Sequence, residues 1–548
     1  MIDYNTLLSF FPGQPRSEQE KALSTICSIF NNKKKYAVAC IPTGVGKSHI
    51  SATLCRSARD INSKYEDLLI SNEAFKKTHT GVYTHEDYIN SLPSFGGIAL
   101  TTTKSLQNQY SDLFSDGEVL KGKNNYMCNV DQNFSVDLAP CVLTPKLKEQ
   151  CLSNGACTYY NRRSQTLSSK FSILNYNVFL GLPDFIRRRQ YLICDEATEI
   201  EEILISKHSI EITYSFLQGE GVPYTKLTSD NPAIAYTWLS DLHLKLVKIT
   251  DELFETINYK NKKILATNTQ REARRLSKLM SLQESLNAVI SSWHNCEYII
   301  EKKANNVIFT PYNVDILAKK LFQSADNVVL MSAYIPKKIV EFLGIKPEEY
   351  SYFEINSPFE SKKSPIYCSS KYPLSYKSMD TFLPKVIDQA INICEGYNTE
   401  KGIIHTHSMQ ITESFQKKVK NNKRFLFREH GTNNEEIIAK HHMLKDQPTV
   451  VVSPSIAFGV SFDDDMGRFQ IIMKAPYMPL SSKRIKLLFE RDPSYYQTKM
   501  LINLVQMCGR CTRNINDFSV TFILDGTICK VLHKESDKLP KYFLERFV

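Results

Sequence analysis

Three groups of residues in this 548-residue chain have the types and spacing to do chemistry. The first is Pro42-Thr43-Gly44-Val45-Gly46-Lys47-Ser48, set between a short apolar run, Tyr36 to Ile41, and an apolar-periodic segment from Ile50. A glycine turn between a buried strand and a helix start is a phosphate cradle: backbone N–H groups close round the phosphates and the helix N-terminus favours their charge. Thr43, Gly44, Val45 and Gly46 are expected to line it, Lys47 to reach the β- and γ-phosphates, and the Ser48 hydroxyl to hold Mg²⁺. The second is Asp195-Glu196, two acids at the end of the apolar run Gln190 to Cys194. There Asp195 would hold the metal and Glu196 would polarise an attacking water. The third lies far downstream, in Gln506-Met507-Cys508-Gly509-Arg510-Cys511-Thr512-Arg513. Arg510 and Arg513, three apart on one helical face, suit fingers that cross a cleft to a γ-phosphate. Gln19, ahead of the glycine turn, has the amide donor and acceptor to read an adenine edge, which favours ATP over GTP.

Four cysteines form a separate constellation. Cys128, Cys141, Cys151 and Cys157 have 12, 9 and 5 residues between them and lie where apolar periodicity fades, between Leu120 and Arg163. No Cys-x-x-Cys pair or histidine accompanies them, so they depart from zinc-finger spacing. Four thiolates on irregular loops can hold a cubane iron–sulfur cluster. From spacing alone an iron–sulfur cluster, zinc and unligated thiols all stay open. The other cysteines, such as Cys27, Cys40, Cys194 and Cys394, sit singly in apolar runs as small core residues, and the total of 14 reads as no disulfide framework. His405, His407, His430, His441 and His442 fit no ligand spacing and read as strand-end or solvated histidines.

These groups need strands and helices in alternation to position them. Strand-like runs occur at Tyr36–Ile41, Ile98–Thr101, Phe171–Leu174, Gln190–Cys194 and Val328–Met331, and a second series runs from Gly402–His405 to Val520–Leu524. Strands alternating with helices predict parallel sheets. Thr101 to Thr103 and Lys104, at a strand end, suit either a phosphate backbone or a helix cap, with the cap the simpler reading. Residues 204–296 lack strand alternation and read as mainly helical, with Leu276, Leu279, Leu282, Leu286 and Val289 as a packing stripe. A net charge of +10 permits a polyanion partner without requiring one. The local basic clusters, Lys33 to Lys35, Arg187 to Arg189, Lys417 to Arg424 and Lys483 to Lys486, each read as a solvated face. No apolar run is long enough for a membrane span, and the acid-bearing N-terminus does not resemble a secretory signal; an intracellular, cytoplasmic protein is expected.

The order of motifs resembles the superfamily 2 helicases of the XPD/DinG type, which carry an iron–sulfur cluster. Arg16-Ser17-Glu18-Gln19 is similar to the family's adenine-reading motif, Pro42 to Ser48 to motif I and Thr101 to Gln109 to motif Ia. Cys128 and Cys157 stand at the first and last cluster ligands, Asp195 to Thr198 at motif II, and Met331 to Tyr334 at motif III. Ser453 to Phe462 stands at motif V and Gln506 to Arg513 at motif VI. The resemblance implies an α/β fold of two RecA-like motor domains, the first interrupted by a cluster domain and a helical arch. It divides the chain into 1–112, 164–203 and 300–345 for the first motor, 113–163 for the cluster domain, 204–299 for the arch and 346–548 for the second motor. It implies ATP, Mg²⁺ and a [4Fe-4S] cluster on Cys128, Cys141, Cys151 and Cys157. It adds Arg16 to the nucleotide contacts, Gln506 to the catalytic set, and Thr102 and Lys104 to the DNA contacts. The expected activity is 5′→3′ movement on single-stranded DNA, with unwinding of forked duplexes, in replication, repair or recombination, by a monomer.

Several positions depart from the family pattern. Motif II ends in Thr198 rather than His, motif III in Tyr334 rather than Thr, and Phe458 and Ser461 stand where motif V has an acid. These positions link hydrolysis to movement, so a translocase with little unwinding is the alternative within the enzyme class. A cluster-bearing nucleic-acid binder with a degenerate ATPase is the alternative outside it. Phe458 is expected to stack on a base. The chain is short for the family, which suits a prokaryotic or viral protein.

Overall fold

The computed structural model describes residues 3–60, 94–132, 134–143, 145–260, 267–428, 434–454, 462, 464–512 and 516–548. Five strands come first: β1 (Tyr36–Cys40), β2 (Gly97–Thr101), β3 (Glu118–Leu120), β4 (Phe171–Asn175) and β5 (Arg189–Asp195). Then come β6 (Ile210–Thr213), β7 (Tyr298–Lys302), β8 (Asn306–Pro311), β9 (Ala325–Ser332) and β10 (Tyr350–Glu354). The last six are β11 (Ile366–Tyr367), β12 (Gly402–His405), β13 (Phe425–Phe427), β14 (Val450–Ser453), β15 (Phe469–Ile472) and β16 (Val520–Ile523).

They make two parallel sheets, ordered β10-β1-β9-β5-β2-β4-β3 and β11-β16-β15-β12-β14-β13, and one small antiparallel sheet, β6-β8-β7. All five residues of β1 are buried, with Val38 and Cys40 in the core on one face and Ala37 and Ala39 in the core on the other. A central parallel strand covered on both faces is a continuous apolar run, which is why β1 is plain in the sequence. The core that holds Val38 continues into the second unit, through Tyr495, Met500 and Leu504.

Two boundaries move. The strand Tyr350–Glu354, in the segment assigned to the second motor, pairs along β1 and closes the edge of the first sheet, so that sheet extends past residue 346. Asn306 to Phe309, within the 300–345 segment assigned to the first motor, belongs instead to the antiparallel sheet with Ile210–Thr213 and Tyr298–Lys302. Its burial alternates, as a sheet with one solvated face requires. The insertion is therefore a pair of long helices, α5 (Pro232–Lys260) and α6 (Thr267–Ser292), on a three-stranded sheet rather than a helical unit alone. Leu239, Leu242, Leu279, Leu286, Val307 and Phe309 share its core, with Trp293 stacked on Tyr298 at 4.7 Å. The turn Val136–Leu138 and the helix Pro140–Leu143, both in the cysteine segment, contact α6 and α5, so the two insertions touch.

Not every basic cluster is solvated. Arg189 is fully buried and donates to the carbonyls of Leu167 and Arg188, both at 2.8 Å, while Arg188 pairs with Asp326 at 2.5 Å. Arg484 is buried as well. Of the cysteines, Cys368 and Cys529 form a disulfide, their Cα atoms 5.7 Å apart, against the expectation of single thiols. His405 ends β12, as a strand-end histidine, and is buried there; His441, on a helix, is buried rather than solvated, and His430 lies outside the described residues. Among the described residues no helix is long and apolar enough to cross a membrane.

Candidate active site

The glycine turn leaves β1 and enters α2 (Lys47–Ser57). Gly44 and Gly46 take positive φ, 81° and 95°, where a side chain is strained. At Gly46 space forbids one too: a Cβ would stand 2.5 Å from Gln19 Nε2. Gln19 is buried at the start of α1 (Ser17–Asn31). Its Nε2 donates to Val45 O at 2.9 Å, its Oε1 accepts from Arg16 N at 2.8 Å, and Arg16 Nη2 donates to the same Val45 carbonyl at 3.0 Å. Arg16 and Gln19 thus brace the turn from behind.

β5 delivers the two acids beside it. Asp195 is buried, and burial pushes its carboxyl up to about 6, with Glu196 adding to the rise and Lys47 opposing it. Asp195 and the Ser48 hydroxyl both act on the buried Tyr110 hydroxyl, and a carboxylate and a hydroxyl are the hard oxygen donors that Mg²⁺ takes, so the residues fit the ion. Glu196 turns the chain with φ of 48°, in the left-handed region that non-glycine residues seldom adopt. Its carboxylate meets Lys47 Nζ at 3.6 Å and accepts from Ser332 Oγ at 2.8 Å. Ser332 ends β9, the strand beside β5, one residue beyond the partner of Asp195. It lies within Met331 to Tyr334, the stretch that resembles motif III, and its contact with Glu196 gives that stretch a role at the site.

The second unit reaches the same carboxylate. Helix α8 (Pro493–Cys508) brings Gln506, whose Nε2 stands 3.5 Å from Glu196 Oε2 and donates to Thr198 Oγ1 at 3.2 Å. Gly509 follows directly and lies over Thr43, within 3.5 Å of its hydroxyl for an added Cβ. Arg510 comes next, half-buried, and its charge reaches the buried ring of His405. Lys47, Asp195, Glu196, Ser332, Thr198 and Gln506 therefore converge. Arg513 and Phe458 lie outside the described residues. Thr103 caps the next helix through Leu106 N at 3.3 Å, with Thr102 half-buried and Lys104 exposed beside it.

In the cysteine segment two hydrogen bonds clamp distant loops together. Asn129 Nδ2 donates to Ala156 O at 2.7 Å and Thr158 Oγ1 to Met127 O at 3.1 Å, so Cys128 and Cys157 are held side by side. Cys157 caps α3 (Thr158–Ser168). Burial raises the Cys141 thiol, and Cys151, Cys128 and Cys157 raise it further; burial, then Cys128 and Cys157, raise Cys151. Cys141 and Cys151 thus feel the charge of the other cysteines of the segment. Among the described residues no three Cys, His, Asp or Glu side chains converge on a single ion position. Four thiols in one segment supply the donor types of a cubane cluster, without being gathered around one position in this structure.

A P-loop on one parallel sheet is thus faced by a helix that leads from a second. Residues 392–544 match the Helicase C-terminal domain family. Solved XPD structures are similar to the chain over nearly its whole length. An XPD helicase structure is 14% identical, with 98% of this chain and 100% of that chain covered at a TM-score of 0.61. An XPD structure in the apo form is 13% identical, covering 96% and 99%, at 0.55. Xpd4 of S. tokodaii is 12% identical, covering 97% and 100%, at 0.54. No curated protein matches the chain in sequence. At these identities the likeness is one of fold, and it bears out the XPD/DinG-type reading of the motifs and the α/β fold of two RecA-like units.

Proposed function

We propose that this chain is an ATP-dependent DNA helicase that moves 5′→3′ on single-stranded DNA and opens forked duplexes. The observation that carries the reading is the engagement of Glu196 from both sides, by Lys47 of the glycine turn and by Gln506 of the second unit. Incoming phosphates compete for Lys47, and its departure frees the Glu196 carboxylate to orient water on the γ-phosphate. Asp195 and Ser48 would hold Mg²⁺, which neutralises charge on the phosphates. Ser332 keeps Glu196 in its strained turn, and Arg510 adds positive charge from the second motor. Thr198, in place of the family's His, still receives Gln506, so the contact between motors is made despite the substitution.

The touching insertions suit a ring around a single strand, with Thr102 and Lys104 on its path. Grip through phosphates would make affinity fall steeply with salt. Cys128, Cys141, Cys151 and Cys157 would hold a [4Fe-4S] cluster that ties four loops into one rigid body.

Strand displacement on duplexes with a 5′ or a 3′ tail tests this, with protein purified anaerobically beside Lys47→Ala and Cys128→Ser. The expected result is opening of the 5′-tailed duplex alone, lost with Lys47→Ala, together with a broad visible absorption that Cys128→Ser removes. Opening from the 3′ tail would overturn the polarity. DNA-stimulated hydrolysis without opening would leave a translocase.

A further inference from the structure

The basic run Lys483 to Lys486 has no place in the nucleotide site, yet it is anything but solvated. Its Arg484, on α7 (Lys483–Arg491), is 2% exposed and touches two other parts of the molecule at once. Toward the first motor, Arg484 Nη2 meets Glu201 Oε1 at 2.5 Å, and Glu202 lies 3.9 Å from Nη1. Glu201, itself 1% exposed, sits on α4 (Ile200–Lys207), the helix that follows Asp195 and Glu196. It also takes Lys499 at 2.9 Å and the Tyr495 hydroxyl, both from α8. Toward the arch, Arg484 Nε donates to Pro311 O at 3.1 Å and Nη2 to Tyr312 O at 3.3 Å, at the end of β8.

Two more residues of α7 extend the grip on the arch. Lys483 donates to Ile300 O at 2.8 Å through Nζ and to Glu301 Oε1 at 3.2 Å through its backbone N–H. Arg491 forms a two-pronged pair with Glu297, both contacts 2.8 Å, and lies over the Tyr312 ring. One short helix is thus fastened to the nucleotide-site helix of the first motor and to the base of the arch, while its neighbour α8 carries Gln506 to Glu196. Rigid charge-assisted contacts at both ends let a movement at one reach the other.

We propose that α7 is a transmission arm, through which closure of the two motors on nucleotide moves the arch. The inference rests on the motor reading above. Its core is the Glu201–Arg484–Lys499–Tyr495 cluster, and its arch end is Lys483 and Arg491. Neither arch-end residue belongs to the nucleotide site.

The test uses the full chain carrying a dye pair, introduced as unnatural amino acids, at exposed Leu244 on the arch and at exposed Leu113, the last residue of the helix that follows β2 of the first sheet. The probe is ADP with beryllium fluoride, and its binding is followed separately with a fluorescent nucleotide. Wild type is expected to change its dye separation when the probe binds. The pair Lys483→Ala/Arg491→Ala is expected to bind the probe and hydrolyse ATP as before, but with a static dye separation and strand displacement reduced about two- to thirty-fold. Lys486→Ala, on the same helix, should behave as wild type. An arch that moves equally in the double variant, or stays still in wild type with the probe bound, would overturn the proposal. Failure of wild type to bind the probe at all would overturn the motor reading instead.

Discussion

Glu201→Gln asks directly whether the two motors meet through the buried cluster. Glu201 is the sole acid in it that is fully buried, and it answers two cations, Arg484 at 2% and Lys499 at 7% exposure. Burial alone would push its carboxyl up, but Lys499 and Arg484 outweigh burial and hold it well below the usual range. Neutralising it leaves the two buried cations with Glu202, which is half in solvent and stands 3.7 and 3.9 Å away, and Lys499 with the charge of Glu199 besides. Removing one partner of a buried pair costs about 3–5 kcal/mol, and Glu202 places this case near the lower end, ~3 kcal/mol. That is a large share of a typical total of about 5–15 kcal/mol. It corresponds to a fall of about 6–12 °C in the transition that reports the interface.

Because a chain of several units need not unfold in one step, that transition should be followed by the dye pair as well as by circular dichroism. The control is Lys245→Ala, which removes an exposed pair with Asp241 and should cost below about 0.5 kcal/mol. If Glu201→Gln cost no more than this control, the cluster would be open to water and the contact between motors would not exist in solution.

Two further outcomes follow from the same reasoning. Burial depresses His405 and His441 to about 4, and the Met466 carbonyl on His441 offsets this only in part, so the fold keeps both neutral while the unfolded chain protonates them near 6.5. Their stabilisation, about 3 kcal/mol each, is present above pH 6.5 and lost as pH falls toward 4; thermal midpoints between pH 7.5 and 4.5 should fall less steeply in His441→Gln, and an unchanged slope would refute this. Gln19→Ala should weaken ATP and GTP binding alike, by about 1–3 kcal/mol, if Gln19 acts by bracing Val45 O; a loss confined to ATP in a paired titration would mean that it reads the base.

What the sequence made legible was local. Tyr36 to Ile41, the glycine turn and Asp195-Glu196 declare themselves because a central parallel strand is apolar throughout and its end must carry the chemistry. The β6-β8-β7 sheet did not, since its strands are four to six residues long and lie beside two long helices whose period dominates the region. β10 was missed because it is a half-buried edge strand, Tyr-Ser-Tyr-Phe-Glu, without a full apolar run. Arg189 and Arg484 read as surface because burial of a charge depends on partners that sequence does not bring together: Arg484 and Glu201 are 283 residues apart. The same holds for Cys368 and Cys529, 161 apart. Distance along the chain, rather than weakness of the interaction, decides what is hidden.

The buried cluster also bears on why a motor interface would use charge where apolar packing is available. Replacing Glu201, Arg484 and Lys499 by Met, Leu and Met should leave stability equal or higher, since apolar groups of similar volume escape the desolvation cost. Tyr495, Lys499 and Gln506 nevertheless lie on one face of α8, at i, i+4 and i+11, so the rotation that seats Lys499 on Glu201 also aims Gln506 at Glu196, roughly 10 Å further along the helix. An apolar patch tolerates small rotations of α8, and each would swing Gln506 off the carboxylate. Charges that are satisfied in one geometry alone do not. The triple variant is therefore expected to melt no lower than wild type and yet to hydrolyse ATP more slowly at saturating nucleotide, with nucleotide affinity retained. If kcat were instead unchanged in a fully folded triple variant, register at α8 would owe nothing to the buried charges, and packing alone would set the contact between Gln506 and Glu196.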